Sequence, residues 1–207
     1  MTPSTTHPHR VFDPLLRLLH WIIALSVVLL IATSQLADAF EHGPYETVFW
    51  NLHILVGYAL TAGLLTRLLW SLVGPASARW RDLWHPAVWK DSLRNVRLPR
   101  THRAGHDPLA SLAYLFAYGV MALMVVTGLG LAASAFQAGP LAGWLGDVAW
   151  LEEVLEEPHE FGFSLMLGFI GLHLAALAFH QWRGERVAQS MITGKQYPGE
   201  ESSVRHD

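Results

Sequence analysis

A chain of 207 residues with 52% hydrophobic and only 15% charged residues is too apolar for an ordinary soluble domain. It contains no cysteine, which excludes disulfides, Cys-ligated iron–sulfur clusters and covalently attached c-type haem. The net charge of −3 averages two very different faces, and no nucleic-acid partner is expected from it. Removing the apolar stretches leaves no separate soluble domain, so residues 1–207 read as one all-α, integral membrane four-helix bundle.

The first span is predicted over 15–36. Asp13 as N-cap and Pro14 at the first helical position mark its start, and it carries Arg17, His20 and Trp21. Ala37-Asp38-Ala39 resembles a signal-peptide cleavage site, but the apolar run is about twice the usual length and includes His20. The second span, 46–73, carries His53, Gly57 and Arg67. Residues 74–108 form a basic loop, with a short amphipathic helix near 83–98 lying on lipid headgroups. The third span, 109–133, again follows an Asp-Pro start, and its Gly128-Leu-Gly130 reads as close helix packing. In the outer loop, 134–157, residues 141–156 read as an interfacial helix, and the fourth span follows over 158–181. The tail 195–207 is expected to be disordered. Most tryptophans fall near the span boundaries, as in an aromatic belt; Trp21 is the exception, expected to be buried beside His20.

The charges orient these spans. Every Lys and Arg lies at the N-terminus, between Arg67 and Arg103, or from Arg183 onward, while the connections 37–45 and 134–157 are acidic. The positive-inside rule therefore places both termini and the middle loop in the cytoplasm.

Ionisable side chains inside spans are the candidate functional groups. His159 and His173 are fourteen residues apart, within roughly 40° of whole turns and about 21 Å along one helix. The helical rise puts His20 and His173 about 9 and 14 Å from the cytoplasmic side. It puts His53 about 10 Å below the outer surface and His159 at that surface. The pairs expected are His20 with His173, inner, and His53 with His159, outer. Each can offer neutral imidazole nitrogens to both axial positions of one haem iron. The competing readings are imidazoles that merely bond carbonyls, or a zinc or copper site, which needs at least three converging ligands. Gly57, Gly162, Ala24 and Ala176 leave gaps beside these rings, although small residues also serve ordinary helix packing. Arg67 follows His53 by fourteen residues on the same helix face, and Arg17 precedes His20 by one turn. Either can bind a haem propionate, with snorkelling to headgroups as the alternative. His180, seven residues after His173, is a candidate for a quinone site or a propionate contact. No catalytic residue is assigned.

These residues resemble the prokaryotic cytochrome b561 family and the b-type cytochrome subunits of nickel–iron hydrogenases. Arg17-Leu-Leu-His20-Trp21 with Thr33-Ser34, His53-Ile-Leu-Val-Gly57 with Arg67-Leu-Leu-Trp70, Gly105-His106-Asp107-Pro108-Leu109, and His159-Glu160 to His173 are similar to that family's patterns. The strict hydrogenase subtype has a His- and Trp-rich signature in the fourth span that this chain lacks. The resemblance implies two haem b groups and electron exchange between a quinone pool and a redox partner, either a hydrogenase or dehydrogenase or a periplasmic cytochrome. The chain would be an electron-transfer subunit of an oxidoreductase system. The alternative is a stand-alone superoxide:quinone oxidoreductase of the same type.

Overall fold

The computed structural model describes residues 9–10, 12–75, 79, 90, 108–184 and 186–196. Four helices in it are long and apolar enough to cross a membrane. Helix α1, Pro14–Ala39, starts where the sequence predicts: the Asp13 carboxylate accepts the Leu16 N–H at 2.9 Å, satisfying an N–H that the first helical turn leaves unpaired. Helix α2, Glu46–Val73, comes after a tight turn. There His42 adopts a positive φ of 62° and its N–H donates to the Glu46 carboxylate at 2.8 Å. Gly74 and Pro75 end it, the Gly74 N–H closing on the Trp70 carbonyl at 2.8 Å.

Helix α3 runs Pro108–Ser134. Beyond it Gln137, at φ 51°, donates its side-chain amide to the carbonyls of Ser134 and Gly146 and so closes the next loop. Gly139, at φ 86°, has a second reason to be glycine, since a Cβ there would collide with the Tyr58 hydroxyl.

The outer loop differs from expectation. In place of an interfacial helix over 141–156 there is one short turn, α4, Ala142–Leu145, and then a long helix α5, Ala149–Trp182, that runs straight through Pro158. The run Leu151-Glu-Glu-Val-Leu-Glu-Glu157 is rich in strong helix formers, which carries the helix past the backbone bond that Pro158 removes. Thirty-four residues make a rod of about 51 Å, well beyond the ~30 Å hydrocarbon thickness. The surplus turns carry exposed Glu152, Glu153, Glu156 and Glu157. A short helix α6, Val187–Thr193, ends at Gly194 in the left-handed conformation, φ 76°.

The chain then makes an ordered contact that the sequence does not predict. Strand β2, Lys195–Gln196, pairs antiparallel with β1, His9–Arg10, and the Phe12 N–H reaches the Gly194 carbonyl at 3.4 Å. The expected disorder therefore does not include Lys195 and Gln196, because the N-terminal arm offers them a backbone ladder. The rest of the tail, and the expected headgroup helix at 83–98 except for Lys90, lie outside the described residues.

Burial differs from that of a soluble protein in that many large apolar side chains face outward and several polar ones lie inside. Leu55, Leu65, Leu69, Leu72, Val126, Phe161 and Leu172 are exposed, whereas Ser26, Thr33, Arg67, Ser71, Ser111 and Thr127 are buried. Lipid tails solvate leucine as well as a protein core does, so membrane helices turn small and polar residues toward one another.

The chain divides into two compact units. One is Met1–Leu18, Trp70–Leu112 and Gly168–Asp207; the other is Leu19–Leu69 and Ala113–Leu167. The division cuts across helices and not between them, as expected when each helix is far longer than the reach of a side chain.

Candidate functional site

The second unit contains a cavity of about 560 Å³ lined from α1, α2, α3 and α5. His53 and His159 both line it, their ring centroids 6.4 Å apart and their planes at 72°. Hydrogen bonds orient both rings. Nδ1 of His53 lies 3.1 Å from the Leu30 carbonyl and 3.2 Å from the Thr33 hydroxyl. Nδ1 of His159 lies 2.8 Å from the Thr127 hydroxyl. A carbonyl can only accept, so the His53 proton sits on Nδ1 and the lone pair on Nε2. Trp50 packs edge-on to His53 at 5.7 Å.

The surroundings show which small residues make room. Gly57 lines the cavity, and a Cβ added there would meet nothing within 4 Å. Gly162 is expected to leave a gap beside His159, but its space is filled by the Met124 sulfur, 2.5 Å from an added Cβ. The residue that stands against His159 is Gly128, where a Cβ would approach Cε1 to 3.2 Å. In the sequence Gly128 reads only as packing, because its helix carries no histidine and offers no local signal. Thr127 escapes sequence reasoning for the same reason; Thr33 is visible only as part of a motif.

The donor set suits a porphyrin iron. Two imidazole nitrogens bound in line to one metal at about 2 Å each put the ring centroids roughly 6 Å apart, close to the spacing seen. Among the described residues no three His, Cys, Asp or Glu come together, as a bare zinc or copper ion would require. Asp38, Glu156 and Glu160 also line the cavity, and no Lys or Arg among the described residues does.

The other predicted residues fall elsewhere. His20 belongs to the second unit and His173 to the first. His20 is half-buried, with Trp21 edge-on at 5.5 Å, and Trp21 itself is 51% exposed, not buried as expected, because it lies on the outward face of α1. His173 is exposed and stacks on Phe169 at 5.9 Å and 14°; His180 stands edge-on to Phe179 at 6.1 Å. Arg67 is only 7% exposed, with its guanidinium 5.8 Å from the Tyr118 ring centroid, so it points inward and does not snorkel. Arg17 donates to the Ile192 carbonyl at the end of α6, the favourable position for a cation at a helix C-terminus.

Four membrane-length helices lining a cavity with paired histidines are the framework of an integral membrane cytochrome of the b type. The chain belongs to the prokaryotic cytochrome b561 family, whose profile matches residues 11–194. It is 30% identical to a probable Ni/Fe-hydrogenase B-type cytochrome subunit of Azotobacter chroococcum mcd 1, over 79% of this chain and 78% of that one. It is 25% identical to the similarly described subunit of Bradyrhizobium diazoefficiens, over 89% and 84%. It is 28% identical to the probable Ni/Fe-hydrogenase 1 B-type cytochrome subunit of Escherichia coli K12, over 59% and 60%. No solved structure matches the chain. The family's cofactor is haem b, and the protein is a multi-pass membrane protein.

Proposed function

We propose that this protein is a di-haem cytochrome b of a bacterial inner membrane, carrying electrons between the quinone pool and a redox partner. His53 and His159 would hold the outer haem. His20 and His173, matched in depth by helical rise, would hold the inner one. Both termini would face the cytoplasm, where the basic residues lie. The observation that carries the reading is the facing pair of His53 and His159 on one cavity.

When bound, haem supplies a reversible one-electron couple. The chain's own residues do the rest. Nδ1 bonds fix the two rings, and α1, α2, α3 and α5 supply the mostly apolar walls of the cavity. Arg67, buried in the second unit, and Arg17 and His180 in the first are the candidate partners for propionates, and His180 also for quinone. The hydrogenase cytochrome relatives support a hydrogenase-like partner. The carboxylates of Asp38, Glu156 and Glu160 favour a partner with a basic face. They also repel an anion, which weighs against superoxide as the electron donor.

The test is haem content and its loss by substitution. Protein expressed with ample haem should show two b-haem equivalents after dithionite reduction. His53→Ala and His159→Ala should each remove one and the same haem, and His20→Ala and His173→Ala the other. Loss of the same haem from His20→Ala and His53→Ala would overturn the pairing, and a colourless preparation would overturn the function.

A further inference from the structure

Two buried hydroxyls stand directly behind the histidines of the cavity. Thr33 on α1 is 8% exposed and Thr127 on α3 is 2% exposed. Each donates its single proton back to its own helix, Thr33 to the Leu29 carbonyl and Thr127 to the Leu123 carbonyl, both at 2.8 Å. That habit is common for threonine in membrane helices, and it leaves the hydroxyl's lone pairs for the next bond. With its proton engaged, each hydroxyl can only accept from the ring nitrogen beside it, at 3.2 Å from His53 Nδ1 and 2.8 Å from His159 Nδ1. Two separate helix pairs, α1 with α2 and α3 with α5, thus arrive at the same arrangement: a helix-anchored hydroxyl oxygen receiving Nδ1–H from a histidine on the neighbouring helix.

We propose that Thr33 and Thr127 are positioning residues that lock His53 and His159 as Nδ1–H tautomers and tune the reduction potential of the metal centre these rings hold. This rests on the reading that both rings ligate one haem. An Nδ1–H that is accepted by an oxygen leaves the ring more electron-rich, so Nε2 donates more strongly to the oxidised metal and holds the potential down. The two positions are unequal. His53 has a second acceptor, the Leu30 carbonyl at 3.1 Å, whereas among the described residues Thr127 is the hydrogen-bond partner of His159 Nδ1. Thr127 therefore carries more of the effect.

The experiment is a redox titration with low-temperature electron paramagnetic resonance on the full haem-loaded chain, monitoring the haem that His159→Ala removes. Thr127→Val keeps the shape of the side chain and deletes the acceptor. It should shift the ferric–ferrous equilibrium about tenfold toward ferrous, a rise of about 59 mV for one electron, and should change the g-values as the ring is freed to turn. Thr127→Ser should restore both. Thr33→Val should move the potential in the same direction by less. If Thr127→Val does not accumulate, Thr127→Ala carries the same expectation. Parental potential and g-values in the valine or alanine variant would overturn the proposal, as would a serine variant that shifts as far as valine. Haem retention in His159→Ala would instead overturn the ligand assignment, before any threonine variant is interpreted.

Discussion

The two compact units use their polar side chains in opposite ways. In the unit of Leu19–Leu69 and Ala113–Leu167, buried imidazoles and hydroxyls meet each other from different helices around a cavity. In the other unit, the polar groups bind the backbone and one another around the start of α1 and the end of α6. Asp13 caps α1 and accepts the Trp70 indole N–H at 3.2 Å, Arg17 caps α6, and β1 pairs with β2. A polar group among apolar helices is costly wherever it sits. The lesson lies in what compensates it. Where the partners are helix termini, the cost is offset by closing the chain. Where the partners are side chains aimed at the rim of a cavity, the arrangement is prepared for a ligand.

Substitutions can break that contrast. Gly128→Leu should act most strongly, since even a Cβ there approaches His159 to 3.2 Å and a larger side chain must displace the ring. Reduced-minus-oxidised spectra should show one haem equivalent lost, and a full complement would mean that His159 is not held where the contrast requires. Asp13→Ala comes next. It removes a helix cap and the acceptor for Trp70, and should cost about 2 kcal/mol in thermal unfolding of the solubilised protein, with haem content unchanged. Arg17→Met should be milder, about 1 kcal/mol from the lost bond to the Ile192 carbonyl, again with unchanged spectra. A shifted haem band in Arg17→Met would give this residue the propionate role that its spacing from His20 admits, and would blur the distinction between the units.

Much of the architecture is legible in the sequence. The spans at 46–73 and 109–133 match α2 and α3 to within a residue, and Asp13-Pro14 marks the start of α1. Long apolar runs in lipid have few alternatives to a helix, because every backbone group must be paired within the segment. The beginning of α5 is less legible. The fourth span is expected from 158, yet the Leu- and Glu-rich run before it prolongs the helix back to Ala149.

The candidate site divides in the same way. His53 and His159 can be found from spacing, since helical rise and register convert residue number into depth and direction. Gly57 can be placed one turn from His53 by the same rule, and it does face open space. Gly162 obeys that rule too, and Met124 fills its gap, because a neighbouring helix decides what occupies the space beside a glycine.

Order along each helix is a local property, so the sequence alone determined the four membrane-length helices and which of them carry the histidines. Which hydroxyl backs which ring, which glycine stands against His159, and that Arg17 ends on the Ile192 carbonyl are meetings between helices distant in the chain. Rotation of one helix against another by a fraction of a turn would change every one of them. Only the tertiary packing fixes that rotation.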